Sequence, residues 1–281
     1  MSIPLDSVRW IHGAADCATA TDPLIQTHEF DGDTFVFRVS KCFSFEGNFL
    51  YLLFGRERAI LFDTGGRADS GEQGAVLPVR DTIETVIARW QQARGTELAS
   101  LIIAHTHGHG DHAFWDGQFA GRPRTTIVKP TLASVTGFFD LPNWPEGEAT
   151  LELGGRTLTV LPFPGHDSTH IAVYDAGAKL LLTGDTLYPG LLTVRDWPTY
   201  HRSAARLAAF ARRHEVACVL GAHVEMKKAP RELYPVGTTF QPDEHALPLS
   251  AAHIEEWHAA CAAMGDAPRR DVHDDFIIEP V

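Results

Sequence analysis

HTHGHGDH, residues 105–112, carries four histidines and an aspartate in eight positions and follows directly on the apolar run Leu101-Ile102-Ile103-Ala104. Read as His107-x-His109-x-Asp111-His112, it has the donor set of a divalent metal site. Neutral imidazole and carboxylate bind zinc, iron or manganese, and residues two apart in an extended loop point the same way. On this reading one ion takes His107 and His109 while a neighbour takes Asp111 and His112. A His-rich surface loop is the bland alternative in a chain with 15 histidines. It accounts neither for the strand in front nor for the partners further on.

Three such partners follow, each an apolar run, a small residue and then a ligand-type side chain. His166 ends LPFPGH after the strand-like Leu158–Leu161, Asp185 ends LLLTGD, and His223 ends CVLGAH after Val216–Leu220. Singly, a His or Asp after a strand is more often a cap or turn residue. Together they describe strand ends meeting on one rim of a layered sheet and complete two coordination shells.

The rest of the chain is read around that rim. Thr34–Ser40 alternates, Phe49–Phe54 is apolar, and Ala59–Phe62 runs into the turn Asp63-Thr64-Gly65-Gly66, which predicts short strands. Arg80–Ala93 places Ile83, Val86, Ile87 and Trp90 on one helical stripe. Further strands are expected at Thr125–Val128, Thr150–Leu153, Thr157–Leu161, Ile171–Tyr174 and Lys179–Leu182, with helices at Pro130–Gly137 and His201–Arg213. By spacing alone this is mixed α/β. Residues 226–248 are rich in Pro and charge, and Ala251–Met264 then predicts an amphipathic helix with Ile254, Trp257 and Cys261 inward and His258 on its flank. The expected division is a domain over 1–225 and an extension over 226–281 that packs back onto it, being too short to own a core.

Composition sets limits. A chain of 281 residues, 44% hydrophobic, can bury one large core. The formal net charge of −12 argues against a nucleic-acid partner, since phosphate backbones are held by Lys and Arg fields. No apolar run approaches a membrane span, and MSIPLDSVRW lacks the cationic start and apolar stretch of a leader, so the cytoplasm is the default expectation. Cys17, Cys42, Cys218 and Cys261 stand far apart without C-x-x-C spacing and are read as reduced thiols.

With these blocks quoted, the chain resembles the metallo-β-lactamase superfamily over roughly residues 34–225, through ILFDTGG (60–66), HTHGHGDH, PFPGHDSTH, LLTGDTLY and LGAH in order. The resemblance implies a four-layer αββα sandwich. It assigns His107, His109 and His166 to a first metal, Asp111, His112 and His223 to a second, and Asp185 to a bridge between them. It makes Asp63 and His105 supports rather than ligands. Two divalent ions, zinc first and iron or manganese as alternatives, would lower the pKa of a water from 15.7 to roughly 7, so that a dinuclear-site hydroxide attacks an acyl carbon. Asp111 would both ligate and accept a hydrogen bond from that water.

The implied reaction is hydrolysis of an ester, lactone or thioester of a small molecule, because the bridging Asp185 resembles glyoxalase II and the lactonases more than the true class B β-lactamases. GAHVEMKKAP departs from the glutathione-holding pattern of glyoxalase II. Tyr188 stands where lactonases carry a substrate-contacting tyrosine and is expected as a catalytic hydrogen-bond donor, against a packed aromatic. Lys227, Lys228 and Arg231 form the only basic cluster near a ligand, to be weighed as a substrate-carboxylate site against plain solvated charge. Phe43, Phe45, Phe114, Trp115 and Phe138 are weighed as pocket lining against core packing. A persulfide dioxygenase-like oxidoreductase with a single iron, β-lactam hydrolysis as a minor activity, and a non-catalytic scaffold are the alternatives. A scaffold has no use for seven ligands, since a structural zinc site closes with four.

Overall fold

The computed structural model describes residues 4–69 and 75–281; the first three residues of the N-terminal reading lie outside this range. The first sheet runs in chain order through β1 (Ile25–Glu29), β2 (Thr34–Val39), β3 (Phe49–Phe54), β4 (Arg58–Phe62), β5 (Ser100–Ala104) and β6 (Thr125–Ile127). It is antiparallel as far as β4. The crossover helix α1 (Val79–Arg94) then lets β5 lie parallel to β4, and β6 follows parallel to β5. After the short helices α2 (Gly110–Ala113) and α3 (Leu132–Phe139), the second sheet begins with β7 (Ala149–Glu152), β8 (Thr157–Pro162), β9 (Ile171–Asp175) and β10 (Leu180–Gly184). β11 (Leu191–Val194) and α4 (Trp197–Ala211) precede β12 (Cys218–Gly221) and β13 (Pro248–Leu249), which complete it in the order β13-β12-β10-β9-β8-β7. Helix α5 (Ala251–Met264) packs on α4, and β14 (Asp271–Val272) and β15 (Ile277–Pro280) join β11 in a small third sheet.

Three apolar layers make this an αββα sandwich. Between the sheets lie Tyr51, Leu53, Ile60, Phe62, Val160, Ile171, Val173 and Leu182. On the outer side of the first sheet, Leu52, Leu61 and Ile103 meet the predicted stripe Ile83, Val86, Ile87 and Trp90 of α1. Each such side chain contributes about 1.5–3 kcal/mol by leaving water. On the outer side of the second sheet, Tyr174 and Leu181 meet Leu207 and Phe210 of α4 and Trp257 of α5. Sheets covered on both faces explain why β2 is buried at all six residues although its sequence alternates. Arg38, wholly buried there, pairs with Glu244 at 2.9 Å and lies over the Phe49 ring.

Two local readings are corrected. Helix α4 begins at Trp197, four residues before the expected His201, because Asp196 caps the Thr199 N–H and Pro198 fits the first turn. The four cysteines are not all reduced: Cys17 and Cys42 form a disulfide, and Cys218 and Cys261 are free. Twenty-five residues of separation hid that pair from spacing arguments. The fold brings the 14–20 segment against the loop after β2, with the two Cα atoms 5.2 Å apart.

Candidate metal centre

Each ligand-type side chain stands just beyond a strand end. β5 ends at Ala104 and leads into the 105–112 loop, β8 ends at Pro162 before His166, β10 delivers Asp185, and β12 delivers His223. β5 and β12 sit in different sheets, so the sandwich closes the two strand rims on one another. Gly184 makes a tight turn before Asp185. Its φ is +49°, and a Cβ there would come within 2.7 Å of the His170 ring and 2.8 Å of Thr106.

The side chains converge in two groups that share Asp185. One is His107, His109, His166 and Asp185, the other Asp111, His112, His223 and Asp185, and within each the donor atoms lie within 4.8 Å of one another. In the first, His109 Nδ1 is 2.8 Å from His107 Nε2 and 3.1 Å from His166 Nε2. Asp185 Oδ2 lies 3.7 Å from each of those Nε2 atoms. In the second, Asp111 Oδ2 is 3.1 Å from His112 Nε2 and 3.4 Å from His223 Nε2, while Asp185 reaches the same two nitrogens at 3.4 and 3.3 Å.

The surrounding hydrogen bonds fix which ring nitrogen faces inward. His166 Nδ1 donates to the Thr193 carbonyl at 2.8 Å, His223 Nδ1 to the Glu46 carbonyl at 3.0 Å, and His112 Nδ1 to Asp63 Oδ2 at 2.9 Å. A neutral imidazole that donates through Nδ1 presents a lone pair at Nε2. Those lone pairs point at one another and at carboxylates. His112 Nε2 and Asp185 Oδ1 are buried with no hydrogen-bond partner among the described residues. Buried polar atoms left this way are costly unless something else satisfies them. Divalent ions are the species such a donor set fits.

Electrostatics agree with a cation-binding centre. Burial works against charge on Asp111 and Asp185, yet His112 and His223 beside them hold both carboxylates well below their ordinary range. Burial likewise opposes charge on His112 and His223, and Asp111 and Asp185 outweigh it, raising both. His107 is pushed well down by burial and then by its neighbour His112.

Asp63 has a positive φ of 67° and accepts from the Thr106 N–H at 2.8 Å and the Thr106 hydroxyl at 2.9 Å, besides His112. His105 spans the Val128 carbonyl and Asp116. Neither enters the two donor groups. Sequence reasoning missed three further residues. Asn48 donates to Asp111 Oδ2 at 3.2 Å, and Glu46 offers its carbonyl to His223. His170, four residues after His166, accepts from the Asp185 N–H at 3.2 Å, with its ring parallel to that of His107 at 4.9 Å. Burial pulls the His170 pKa down to about 3, which keeps the ring a neutral acceptor. Only His170 lay in a block already singled out; Glu46 and Asn48 carry no local signal.

Tyr188, expected as a catalytic hydrogen-bond donor, has its hydroxyl engaged within the chain. Its hydroxyl lies 2.9 Å from the Leu191 carbonyl and 3.0 Å from Glu225 Oε2, and its ring is buried in the layer beneath α4 and α5. Lys227 and Arg231 are paired with Glu232 and Asp274 at 2.8 Å each, and Lys228 lines a separate hollow with His12 and His245. Of the loop aromatics, Phe43 is core, Phe138 packs against core, Trp115 is tied to the Gly66 carbonyl, Phe114 is exposed, and Phe45 lines a small cavity of about 100 Å³ with Lys41. What does adjoin the centre is a cleft of about 450 Å³ against His166, lined by Leu132, Trp144, Pro164 and Arg195.

Residues 45–223 match the family model of the metallo-beta-lactamase superfamily, and the chain belongs to that superfamily. The relatives it resembles include a hydroxyacylglutathione hydrolase of Dechloromonas aromatica, 31% identical over 146 residues that make up 52% of this chain and 46% of that protein. The human acyl-coenzyme A thioesterase MBLAC2 is 36% identical over 79 residues, 28% of this chain and 24% of that one. The chain spans about half the length of the hydroxyacylglutathione hydrolases it matches. Among solved structures, the DIM-1 metallo-beta-lactamase superposes with a TM-score of 0.51 over 86% of this chain and 99% of its own, at 16% identity, which is a likeness of fold. No helix among the described residues is long and apolar enough to cross a membrane.

Proposed function

We propose that the protein is a metal-dependent hydrolase that cleaves a small-molecule thioester or related ester at a two-ion centre. The observation that carries this reading is the pair of donor groups sharing Asp185, six further ligands split three and three. When bound, two divalent ions, zinc foremost, supply an activated water and polarise the scissile carbonyl. The chain's own residues supply the rest. Asp111 Oδ2 faces the centre, held by Asn48, and is the carboxylate placed to hold a proton of the attacking water. Asp63, Thr193 and Glu46 hold three imidazoles through Nδ1, which leaves Nε2 facing the ions.

Thioesters are favoured within the acyl class by two supports. The relatives named above are a hydrolase of a glutathione thioester and a coenzyme A thioesterase, both with anionic carriers. The cleft against His166 sets apolar Leu132 and Trp144 and the carboxylates Asp167 and Asp196 around the exposed Arg195, whose side chain has no ion pair among the described residues. A cation beside an apolar wall suits a substrate with an acyl chain and an anionic carrier. The exposed Phe114 and the paired Lys227 and Arg231 offer no such site.

The test is metal content per chain, measured alongside turnover of a hydroxyacyl-glutathione, an acyl-coenzyme A, a lactone, a β-lactam and a phosphodiester. Two ions per chain and a kcat/KM for a thioester at least tenfold above the others is the expected result. One iron per chain with oxygen uptake on a persulfide replaces the hydrolase with an oxidoreductase. Two ions with preference for the lactone keeps the centre and moves the substrate.

A further inference from the structure

The loop between β2 and β3 is tied down more heavily than a surface connection needs. Within it Phe43 N–H and Ser44 N–H both donate to the Ser40 carbonyl, and Gly47 N–H donates to Ser44. Lys41, buried, folds back to place its Nζ 2.9 Å from the Phe45 carbonyl, close over Gly47, where a Cβ would lie 2.7 Å from the lysine stem. Outward, Ser44 Oγ and the Phe45 N–H both donate to Asp69 Oδ2, at 2.7 and 2.8 Å. The one covalent tie is the disulfide from Cys42 to Cys17.

Two residues of this loop touch the metal centre, and both touch the same half. Glu46 offers its carbonyl to His223 Nδ1, and Asn48 donates to Asp111 Oδ2. The other half takes its outer support elsewhere: His166 from Thr193 in β11, and His107 from the hydroxyl of Thr106. The loop's direct contacts to the centre therefore fall on one half and not the other. The disulfide is open to change, since Cys17 and Cys42 are both half-buried and residues 15, 16 and 18–20 around Cys17 are exposed.

We propose that the 40–48 loop is the positioning element for the Asp111, His112 and His223 half of the centre, and that the Cys17–Cys42 disulfide sets its hold. The oxidation state of that pair then controls uptake of the second divalent ion and leaves the first untouched. The switch is a two-electron exchange with a dithiol reductant. A thiolate of the reductant attacks one sulfur, the S–S bond breaks, the second thiol of the reductant resolves the mixed disulfide, and Cys17 and Cys42 each end with one proton. The inference rests on the two-ion reading given above.

The experiment titrates cobalt(II) into the apoprotein in its oxidised form, after reduction by a phosphine and anaerobic desalting, and as the Cys17→Ser/Cys42→Ser double variant, with visible absorption and chelator competition as the readout. The oxidised protein is expected to take two equivalents. In the reduced and double-serine forms the first equivalent should bind within twofold of its oxidised affinity, and the second should weaken at least tenfold. Asn48→Ala in the oxidised protein should weaken the second equivalent alone, which keeps the idea testable if the double variant folds poorly. Two equivalents with unchanged affinities after reduction overturn the inference while the two-ion centre stands. So does equal weakening of both, or an Asn48→Ala protein that binds like wild type. A single equivalent in the oxidised protein overturns the two-ion reading itself.

Discussion

The two halves of the centre use similar ligands and are supported in different ways. In the half formed by His107, His109 and His166, two ligands are two residues apart in one loop, and the outer bond that fixes His166 reaches a carbonyl 27 residues away on the next turn of chain. In the half formed by Asp111, His112 and His223, the outer bonds span 49 residues from His112 to Asp63, 63 from Asp111 to Asn48 and 177 from His223 to Glu46. The first half joins the loop after β5 of the first sheet to the ends of β8 and β10 of the second. The second exists only once the first sheet, the second sheet and the loop after β2 are all in place. Ligand identity is thus legible locally in both halves, and the loop after β2 braces the second half alone.

The severest way to break this comparison is to remove a ligand from the first half. His166→Ala takes one of three imidazoles from the first group and is expected to lower kcat/KM by about 1000-fold or more, with the loss of one ion per chain by elemental analysis. Activity retained within tenfold would mean that the second group alone carries the chemistry.

A sharper test touches no ligand. Asp63→Ala removes the carboxylate that holds His112 directly and reaches His107 only through the Thr106 hydroxyl. Affinity for the second ion should fall by about 10- to 100-fold and affinity for the first by less. Equal losses would show that Asp63 serves the whole rim, and the proposed asymmetry would lose its basis.

The smallest expected effect concerns Tyr188, which lies beside the second half with its ring centroid 5.8 Å from that of His223. Its hydroxyl serves Leu191 and Glu225 rather than the rim. Tyr188→Phe should leave metal content unchanged and kcat within about twofold, and cost about 1 kcal/mol of stability by urea unfolding, the typical net worth of one hydrogen bond. A drop in kcat of tenfold or more with intact metal content would return Tyr188 to the mechanism as a donor.

The stretch 105–112 and the pattern of apolar run, small residue and ligand at His166, Asp185 and His223 were enough to pick out every member of both donor groups. That is because a buried strand must be apolar and must end in a turn, so a polar side chain at that point is visible locally. The stripe on α1 and the bounds of α5 were legible for the same reason: helical period shows in sequence wherever one face is buried. What the chain's pattern could not disclose depended on which distant segments meet. Cys42 finding Cys17, Glu46 and Asn48 bracing the second half, and Glu225 meeting the Tyr188 hydroxyl are contacts between segments far apart in the chain. Contacts of that kind rest on packing between elements far apart in the chain, which no local period records; only the tertiary structure decided them.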